Sequence, residues 1–384
     1  MLRSNDVHTI SDRLDNILKM KDNIDMDLMI FDNNVLNKKC VSLRHAIMKL
    51  GDSNKKYKNN MDYIKSGSSG HTFRFKIHTN DDKIHLYGLK VVAFSRKSYG
   101  DIKNAKRPEN TELLMLKKLS EFVINHRTPH IVLPIISFNT DIGQFIRLYF
   151  NKFSKLTDDE NVIKYKRYKK FVEKYQKGDY HSQVSILISE WASCGDFLDY
   201  LREHHDSLSL IEWKTYFFQI ISVLAVIQLE YPAFRHNDLK ANNILIHKTP
   251  NNKSSEKRYY LYSIDGKKYH VPDIGYCLKM WDFDFACIPG VVENSKVEAK
   301  WTSHINVNPE QNRYYDIHFF FNTLIKGSFV PKIMTSSKVP KEVKQFIKRI
   351  VPNKFRVCKT RPKKGKPVKK DPYDCGYVSE NGRI

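Results

Sequence analysis

Two short segments that are far apart in the chain constrain its fold more than any other part of the sequence. The first, residues 236–245, places Asp238, Lys240 and Asn243 at fixed offsets directly before a short apolar run. The second, residues 281–286, supplies another carboxylate, Asp282, at the end of a further predicted strand. The two segments carry complementary parts of one site, so we predict that the fold brings them together.

The residue types in these segments suit phosphoryl transfer from ATP. This reaction needs a carboxylate that orients a hydroxyl group, a cation on the transferring phosphate and oxygen ligands for a divalent metal ion. We predict that Asp238 orients the hydroxyl group and that Lys240 neutralises the phosphate. Asn243 and Asp282 are the predicted oxygen ligands of Mg²⁺ or Mn²⁺. His236 is predicted to be structural, with a hydrogen bond in the core.

A glycine-containing segment upstream, residues 66–72, is a candidate phosphate-binding loop. Glycine lets backbone N–H groups approach phosphate oxygens closely, although a plain hairpin turn would have the same composition. The position of the segment, one strand before Lys90, favours phosphate binding. The predicted ATP-binding residues here are Gly67, Ser68, Ser69, Gly70 and Thr72.

Lys90 lies in the middle of a predicted apolar strand, residues 84–92. A lysine in that position must either extend to solvent from an edge strand or pair with an anion. The second interpretation makes Lys90 a ligand of the ATP phosphates that a helix carboxylate holds in place. On the predicted helix 109–123, Glu112 is the better partner because an apolar stripe follows it at helical spacing, and Glu109 is the alternative.

The order of the predicted elements indicates an α+β chain with two lobes, because strands come first and helices second. The predicted strands are residues 63–64, 72–77, 84–92, 131–137, 145–150 and 185–188, and the later predicted helices are residues 197–204 and 211–230. Between the two functional segments, Asp265-Gly266 is a strong turn signal and predicts a hairpin of residues 259–263 and 267–271.

The composition favours anionic partners and an intracellular location. The formal net charge is +23, and sixteen basic against four acidic residues lie between positions 332 and 384. This end of the chain could bind nucleic acid or anionic lipid, or could be a solvated extension. Six cysteines without a CxxC pair indicate neither a zinc site nor a disulfide framework. We find no secretory signal and no stretch of about 18 apolar residues, so we expect no transmembrane segment.

The order of these parts along the chain resembles that of the eukaryotic-type protein kinase fold. The order is the glycine-containing segment, Lys90, Glu112, and then the two functional segments, residues 236–245 and 281–286. The resemblance covers residues 63–356. It implies a bilobal fold with a β-rich N-lobe (61–190) that contains a polar insertion (151–180), and a shortened helical C-lobe (191–358) that contains a hairpin insertion (250–275). An N-terminal helical extension (1–60) and a basic C-terminal tail (359–384), predicted to be disordered up to residue 371, flank the lobes.

The same resemblance assigns nucleotide-binding roles to residues 188–196. Ser189 would be the gatekeeper, and Glu190 and Ala192 would present backbone groups to adenine. Asp196 would lie near the ribose. These roles follow from the resemblance and not from the spacing of the residues.

Two segments narrow the resemblance further. Residues 281–285 and 314–320 are most similar to the virion serine/threonine kinases of poxviruses and of related large DNA viruses, including giant viruses of the mimivirus type. This implies a kinase that uses ATP and Mg²⁺ or Mn²⁺, acts on protein substrates, and lies in the virion or the host cytoplasm. By the broader resemblance to the protein kinase fold, Asp316 would brace the catalytic loop, and residues 308–310 would form the Ala-Pro-Glu-like element, for which Arg356 is a candidate ion partner.

Three positions depart from the kinase pattern. Lys65 replaces the first glycine of the phosphate-binding loop. Asn237 stands where regulated kinases carry an arginine that binds an activation-loop phosphate, so we predict activity without that phosphorylation. Asp284 replaces a glycine and restricts the backbone more than glycine would, which predicts a less switchable active conformation.

Two other function classes stay open on the sequence. A small-molecule kinase of the choline or aminoglycoside type shares the spacing of His236, Asp238 and Asn243, but Lys240 argues against it. The third hypothesis is a non-enzymatic pseudokinase or scaffold whose tail binds nucleic acid. The complete set of predicted catalytic side chains argues against that hypothesis.

Overall fold

The computed structural model describes most of the chain between residues 61 and 356, with a few residues on either side. The described residues are 2–4, 11, 13–14, 40–43, 46, 61–66, 70–78, 84–97, 99–153, 159–249, 258–303, 305–356 and 383–384. Most of the predicted helical extension, loop residues 67–69 and tail residues 359–382 lie outside this part of the chain, and so do the predictions made for them.

The described elements confirm the predicted α+β class. The strands are β1 (Leu2–Ser4), β2 (Met61–Ser66), β3 (His71–His78), β4 (Ile84–Ser95), β5 (Pro134–Asp141), β6 (Tyr180–Glu190), β7 (Ile244–Lys248), β8 (Tyr259–Ile264), β9 (Lys267–Pro272) and β10 (Tyr276–Met280). The helices are α1 (Pro108–Ile124), α2 (Ile142–Phe153), α3 (Asp159–Gln176), α4 (Phe197–His204), α5 (Leu210–Glu230), α6 (Lys300–Ser303), α7 (Tyr315–Leu324) and α8 (Lys341–Ile350).

The chain forms two compact units. We call residues 11–120 and 132–191 the sheet unit, and residues 1–10, 121–131 and 192–384 the helical unit. The sheet unit contains a five-stranded antiparallel sheet in the order β2-β3-β4-β6-β5. β4 is therefore the middle strand, and its residues Leu89 and Val91 are fully buried on one face of the sheet.

One predicted strand of the sheet unit is wrong. Residues 145–150 belong to helix α2 rather than to a strand. Ile142 and Phe145 are fully buried one helical turn apart, and the Phe145 ring contacts those of Tyr168 and Phe171 on α3. A short apolar run does not distinguish a strand from a buried helix, and packing against α3 decides the outcome here.

In the helical unit, α5 is the longest described helix. Its first turn has a capping box, since the Ser209 side chain accepts a hydrogen bond from the Glu212 N–H while the Glu212 carboxylate accepts one from the Ser209 N–H. α5 has the length and apolar composition of a membrane span. Most of it is nevertheless buried within the unit, including Trp213 and Tyr216, which is the pattern of a helix in a protein core.

The predicted hairpin is present in the helical unit. β8 and β9 pair antiparallel, and the turn between them contains Asp265 and Gly266, with φ values of 49° and 71°. Two consecutive residues with positive φ match the twist of a tight hairpin. β1 adds a parallel strand to β8.

A second antiparallel pair, β7 with β10, joins the two functional segments. Its register pairs Ile244 with Met280. Asn243 directly precedes β7 and Trp281 directly follows β10, so both lie at the same end of the pair. The Trp281 N–H donates to the Asn243 carbonyl oxygen at 3.1 Å. The fold therefore brings the segments together, as the sequence predicted.

Candidate active site

The backbone of the loop that carries Asp238 is fixed by one buried carboxylate, that of Asp316. Asp316 accepts hydrogen bonds from the backbone N–H groups of His236, at 2.7 Å, and Asn237, at 2.9 Å. Burial raises the pKa of Asp316, while the charges of His236 and Arg235 and the two N–H donors act in the opposite direction. The geometry is that of a brace for the loop, which is the role that the sequence resemblance implied.

His236 has structural contacts, as predicted. It is fully buried, and its Nε2 donates to the Trp281 carbonyl oxygen at 3.0 Å. Its ring centroid lies 5.1 Å from that of Phe283. These contacts hold the Asp238 loop against the segment that carries Asp282.

Three donors of the described chain converge on the Asp238 carboxylate. Oδ2 accepts hydrogen bonds from Lys240 Nζ at 2.8 Å and from Asn243 Nδ2 at 3.1 Å. Oδ1 accepts one from Arg383 Nη2 at 2.7 Å. Lys240 and Asn243 are predicted members of the site, although the sequence assigns them to the phosphate and to the metal ion rather than to Asp238. Arg383 was not predicted, and it is separated from Asp238 by 145 positions.

Asn243 and Asp282 are positioned by the end of the β7–β10 pair. Asn243 Nδ2 also donates to the Asp238 carbonyl oxygen at 2.9 Å, which fixes the orientation of its amide. Asp282 has a φ of 64°, a left-handed conformation that non-glycine residues adopt rarely and often at functional sites. Amide and carboxylate oxygens suit Mg²⁺, which usually takes few protein ligands and completes its shell with water and phosphate. Among the described residues, no three His, Cys, Asp or Glu side chains are grouped so that they could hold a metal ion.

Asn237 ties the loop that carries Asp238 to the chain that follows Asp282. It has a φ of 61°, and its Nδ2 donates to the Phe285 carbonyl oxygen at 3.0 Å. Next to it, Arg235 and Cys287 exchange two backbone hydrogen bonds, at 2.9 and 3.1 Å. Asn237 occupies the position at which the kinase pattern has a phosphate-binding arginine. At this position the loop is fixed by hydrogen bonds within the chain.

Asp284 is held by a cation from the same segment. It is buried and ion-paired with Lys296, whose Nζ also lies 3.8 Å from the Phe285 ring centroid. The Asn294 side-chain amide donates to the carbonyl oxygens of Asp284 and Ala286, both at 3.0 Å. These bonds fix the backbone directly after Asp282, and they favour the prediction of a less switchable segment.

Arg235 binds residues 308–310 through hydrogen bonds. Arg235 is buried and donates to Asn308 Oδ1 at 2.5 Å and to the Glu310 carbonyl oxygen at 3.1 Å. Arg356 Nε donates to the Val351 carbonyl oxygen at 2.9 Å, and its predicted ion pair with residues 308–310 stays a prediction. The position of Arg235 directly before His236 is the signal that could have identified it.

In the sheet unit, Lys90 and Glu112 form a buried ion pair. Lys90 Nζ lies 2.6 Å from Glu112 Oε1, and the two side chains are 6% and 4% exposed. Lys90 is not on an edge strand, because β4 pairs on both sides, at Thr72 and at Leu187. Glu109, the alternative partner, contacts Arg107 instead. The structure therefore contains the preferred pair, whose charges are held out of water at a desolvation cost.

The described end of the glycine-containing segment lies against β4. A Cβ atom on Gly70 would lie 2.5 Å from the Val91 carbonyl oxygen, so only glycine fits this close approach. Thr72 pairs in register with Lys90. His71 lies between Gly70 and Thr72 in the sequence. Burial lowers the pKa of its side chain to about 4, so the ring is neutral at neutral pH.

The residues that the resemblance assigns to adenine and ribose are Glu190, Ala192 and Asp196, and each is positioned by its surroundings in the structure. The Glu190 carboxylate accepts hydrogen bonds from the Arg13 guanidinium at 2.5 and 2.8 Å. Ala192 is buried. The Asp196 side chain caps α4 by accepting a hydrogen bond from the Asp199 N–H at 3.0 Å. These contacts position the residues, and their assignment to nucleotide binding stays a prediction.

Comparison with known proteins gives a family match. The sequence model of the poxvirus serine/threonine protein kinase family matches residues 124–368, more than half of the chain. The matched range contains both functional segments and the helix that carries Asp316.

Similar viral proteins cover part of the chain. A protein of Acanthamoeba polyphaga mimivirus named as a serine/threonine-protein kinase is 48% identical over 294 residues, which cover 77% of this chain and 61% of the relative. A second mimivirus protein named in the same way is 29% identical and covers 53% of this chain and 57% of the relative. Serine/threonine-protein kinase 2 of fowlpox virus is 33% identical over 126 residues, or 31% of this chain and 24% of the relative. The chain thus spans less than two thirds of the length of each of these relatives.

Proposed function

The chain belongs to the poxvirus serine/threonine protein kinase family, and we therefore propose that it transfers the γ-phosphoryl group of ATP to serine and threonine hydroxyls of proteins. The single observation that carries the proposal is the convergence of Lys240 and Asn243 on the Asp238 carboxylate, at the end of the strand pair that also positions Asp282. The relatives named as such kinases are viral, which supports a viral protein that acts in host cells.

Each group of the loop has a part in this reaction. Asp238 would accept the hydrogen bond of the substrate hydroxyl and orient its oxygen toward the γ-phosphorus. Lys240, held 2.8 Å from Asp238, would place its positive charge near the oxygens of the transferring phosphoryl group. Because Asp316 and Asn243 fix the loop beforehand, little reorganisation is needed when charge develops in the transition state.

The donor set at Asn243 and Asp282 fits Mg²⁺ or Mn²⁺, which would supply positive charge to the ATP phosphates. Lys90, held by Glu112, would contact the α- and β-phosphates. The remaining proposed nucleotide ligands are Gly67, Ser68, Ser69, Gly70 and Thr72 for the phosphates, Glu190 and Ala192 for adenine, and Asp196 for the ribose.

Proteins are favoured over small molecules as substrates. Lys240 contacts Asp238 directly, whereas kinases of the choline and aminoglycoside type usually lack a lysine at this position. The hydrogen bonds of Asn237 support activity without activation-loop phosphate. We also propose the virion as one site of action, and nucleic acid or anionic lipid as a partner of the basic tail, residues 359–384.

Phosphoryl transfer from labelled ATP tests the proposal. The full chain is incubated with γ-labelled ATP, Mg²⁺ or Mn²⁺, and a panel of basic, acidic and virion proteins, with choline and an aminoglycoside in parallel. We expect label on protein, and phosphoamino-acid analysis should show it on serine and threonine. Asp238→Asn keeps the shape of the side chain but removes the carboxylate, so it should lose nearly all incorporation.

Equal labelling by the wild type and Asp238→Asn would contradict the proposal, because the label would then come from another source. Label on choline or the aminoglycoside with none on any protein would establish the small-molecule alternative. Label on tyrosine alone would overturn the assigned specificity.

A further inference from the structure

The side chain of Arg383 is held against the catalytic loop by several contacts. Its Nη2 donates to Asp238 Oδ1 at 2.7 Å, and its Nε donates to the Asn237 carbonyl oxygen at 3.3 Å. The guanidinium carbon lies 4.0 Å from the Phe319 ring centroid on α7. The Arg383 carbonyl oxygen also accepts a hydrogen bond from Asn306 Nδ2 at 3.1 Å. The side chain is 8% exposed, so it is inserted into the unit rather than lying on its surface.

One of these contacts occupies Oδ1 of Asp238, a carboxylate oxygen that could accept the hydrogen bond of the substrate hydroxyl in the proposed reaction. Asp238 Oδ2 already accepts hydrogen bonds from Lys240 and Asn243. Oδ1 is the other carboxylate oxygen, and Arg383 donates to it. A substrate hydroxyl that is oriented by Asp238 must donate to one of these oxygens, so it competes with a charge-assisted hydrogen bond from Arg383. The side chain of Asp238 is only 13% exposed, which leaves little room for both groups.

We propose that Arg383 is an autoinhibitory lock that occupies Asp238 until protein substrate displaces it. This inference rests on the proposed kinase function, because the lock acts on the carboxylate that orients the hydroxyl. The lock is reversible by construction, since it depends on noncovalent contacts of one side chain and one backbone carbonyl. It is also placed to respond to the chain after Asp282 through Asn306. The Asn306 side chain donates to the Arg383 carbonyl oxygen, and the Asn306 carbonyl oxygen accepts a hydrogen bond from Arg235.

The lock makes a specific kinetic prediction. Arg383→Ala frees Asp238 Oδ1, so kcat/KM for protein substrate should rise about tenfold, within the usual range of coupling between two sites. The rise should come mainly from a lower KM for the protein substrate, with the KM for ATP unchanged. Arg383→Lys keeps the charge but loses the planar fork that contacts both Asp238 and Asn237, so it should lie between the wild type and Arg383→Ala.

The experiment uses the full chain and a matched control. Arg349→Ala removes an exposed arginine on α8 whose guanidinium also lies over a phenylalanine, Phe346, at 5.8 Å. Steady-state kinetics are measured for the wild type, Arg383→Ala, Arg383→Lys and Arg349→Ala. Hydrogen–deuterium exchange of peptides that span residues 234–243 is measured on the same samples and does not depend on activity. We expect faster exchange in Arg383→Ala and no change in Arg349→Ala.

The outcomes separate the lock from the proposed function. Higher kcat/KM together with faster exchange in Arg383→Ala, but not in Arg349→Ala, would support the lock. A lower kcat in Arg383→Ala would overturn it, because Arg383 would then assist the reaction. Unchanged kinetics and unchanged exchange would also overturn it. Faster exchange with no phosphorylation by any variant would show that the contact is real while the kinase function, and with it the inhibition, is wrong.

Discussion

The two units hold their candidate catalytic groups by different kinds of contact. In the helical unit, Asp238 lies on a loop whose backbone N–H groups are bound by Asp316 and whose side chains bind one another. In the sheet unit, Lys90 is held on a central strand by its ion pair with Glu112. The loop is therefore fixed through its backbone, whereas Lys90 is fixed through its side chain.

This difference determines how each region should respond to substitution. A loop that is bound through its backbone loses the position of several groups at once when its brace is removed. An ion pair that loses one partner leaves the other charge buried and uncompensated, but the strand that carries it keeps its hydrogen bonds. Disruption in the helical unit should thus spread along the loop, and disruption in the sheet unit should remain local.

Among the contacts that support the two sites, the largest effect is expected for Asp316→Asn. The asparagine amide presents N–H donors to backbone N–H groups, so at least one of the two loop bonds is lost. We expect a loss of about 3 kcal/mol in the free energy of unfolding, because two buried donors lose a charged acceptor. Activity should fall about 100-fold, since a displacement of about 1 Å at a catalytic group has that effect. Chemical denaturation and kcat measure both, and unchanged values would refute the bracing role.

The second largest loss of activity among these variants is expected for Lys90→Met. The substitution removes the proposed phosphate contact, and we expect kcat/KM for ATP to fall about 30-fold, as for loss of a charged hydrogen bond worth about 2 kcal/mol. Lys97→Met is the matched control, because Lys97 is 77% exposed and pairs with Asp179 at the surface. It should change neither kinetics nor folding. Equal losses in the two variants would show that the buried pair has no special role.

Asn237→Ala should have a smaller effect, about tenfold on kcat, from loss of one hydrogen bond to Phe285 and from strain at its positive φ. Asp265→Ala isolates the strain, because Asp265 also has a positive φ but lies exposed in the hairpin turn. If both variants lose activity equally, the amide of Asn237 does not hold the segment after Asp282.

Phosphatase treatment should have the smallest effect. The segment after Asp282 is fixed by Asn237, Lys296 and Asn294 without a phosphate, so we expect less than about a twofold change in kcat. Mass spectrometry confirms that the treatment is complete. A large loss of activity that maps to a phosphosite between Asp284 and Glu310 would contradict this expectation.

The contacts that could be predicted from the sequence are those set by local periodicity. Glu112 was identified as the partner of Lys90 because a stripe of Leu113, Leu116 and Leu119 fixes the rotation of α1, and all three leucines are buried in the structure. The spacing of five positions within one loop also predicts that Asp238 and Asn243 share one site, but it does not predict the hydrogen bond between them.

The contacts that could not be predicted depend on the path of the chain through space. Arg383 lies in a basic segment whose composition suggests a solvated tail, and nothing local indicates that it reaches Asp238. Arg235 donates to Asn308, 73 positions away, and only the packing of the chain brings the two residues together. The apolar run at 145–150 is compatible with strand and helix alike, and the aromatic contacts with α3 select the helix.

The most direct test of the central claim is a single-turnover measurement of phosphoryl transfer to a protein serine by the wild type, Asp238→Asn and Asp265→Asn. The two substitutions make the same chemical change, one in the proposed site and one in an exposed turn. We predict that Asp238→Asn slows transfer by about 10³-fold, within the range of general acid–base and orienting groups, while Asp265→Asn transfers at the wild-type rate. Transfer by Asp238→Asn at the wild-type rate would contradict the account.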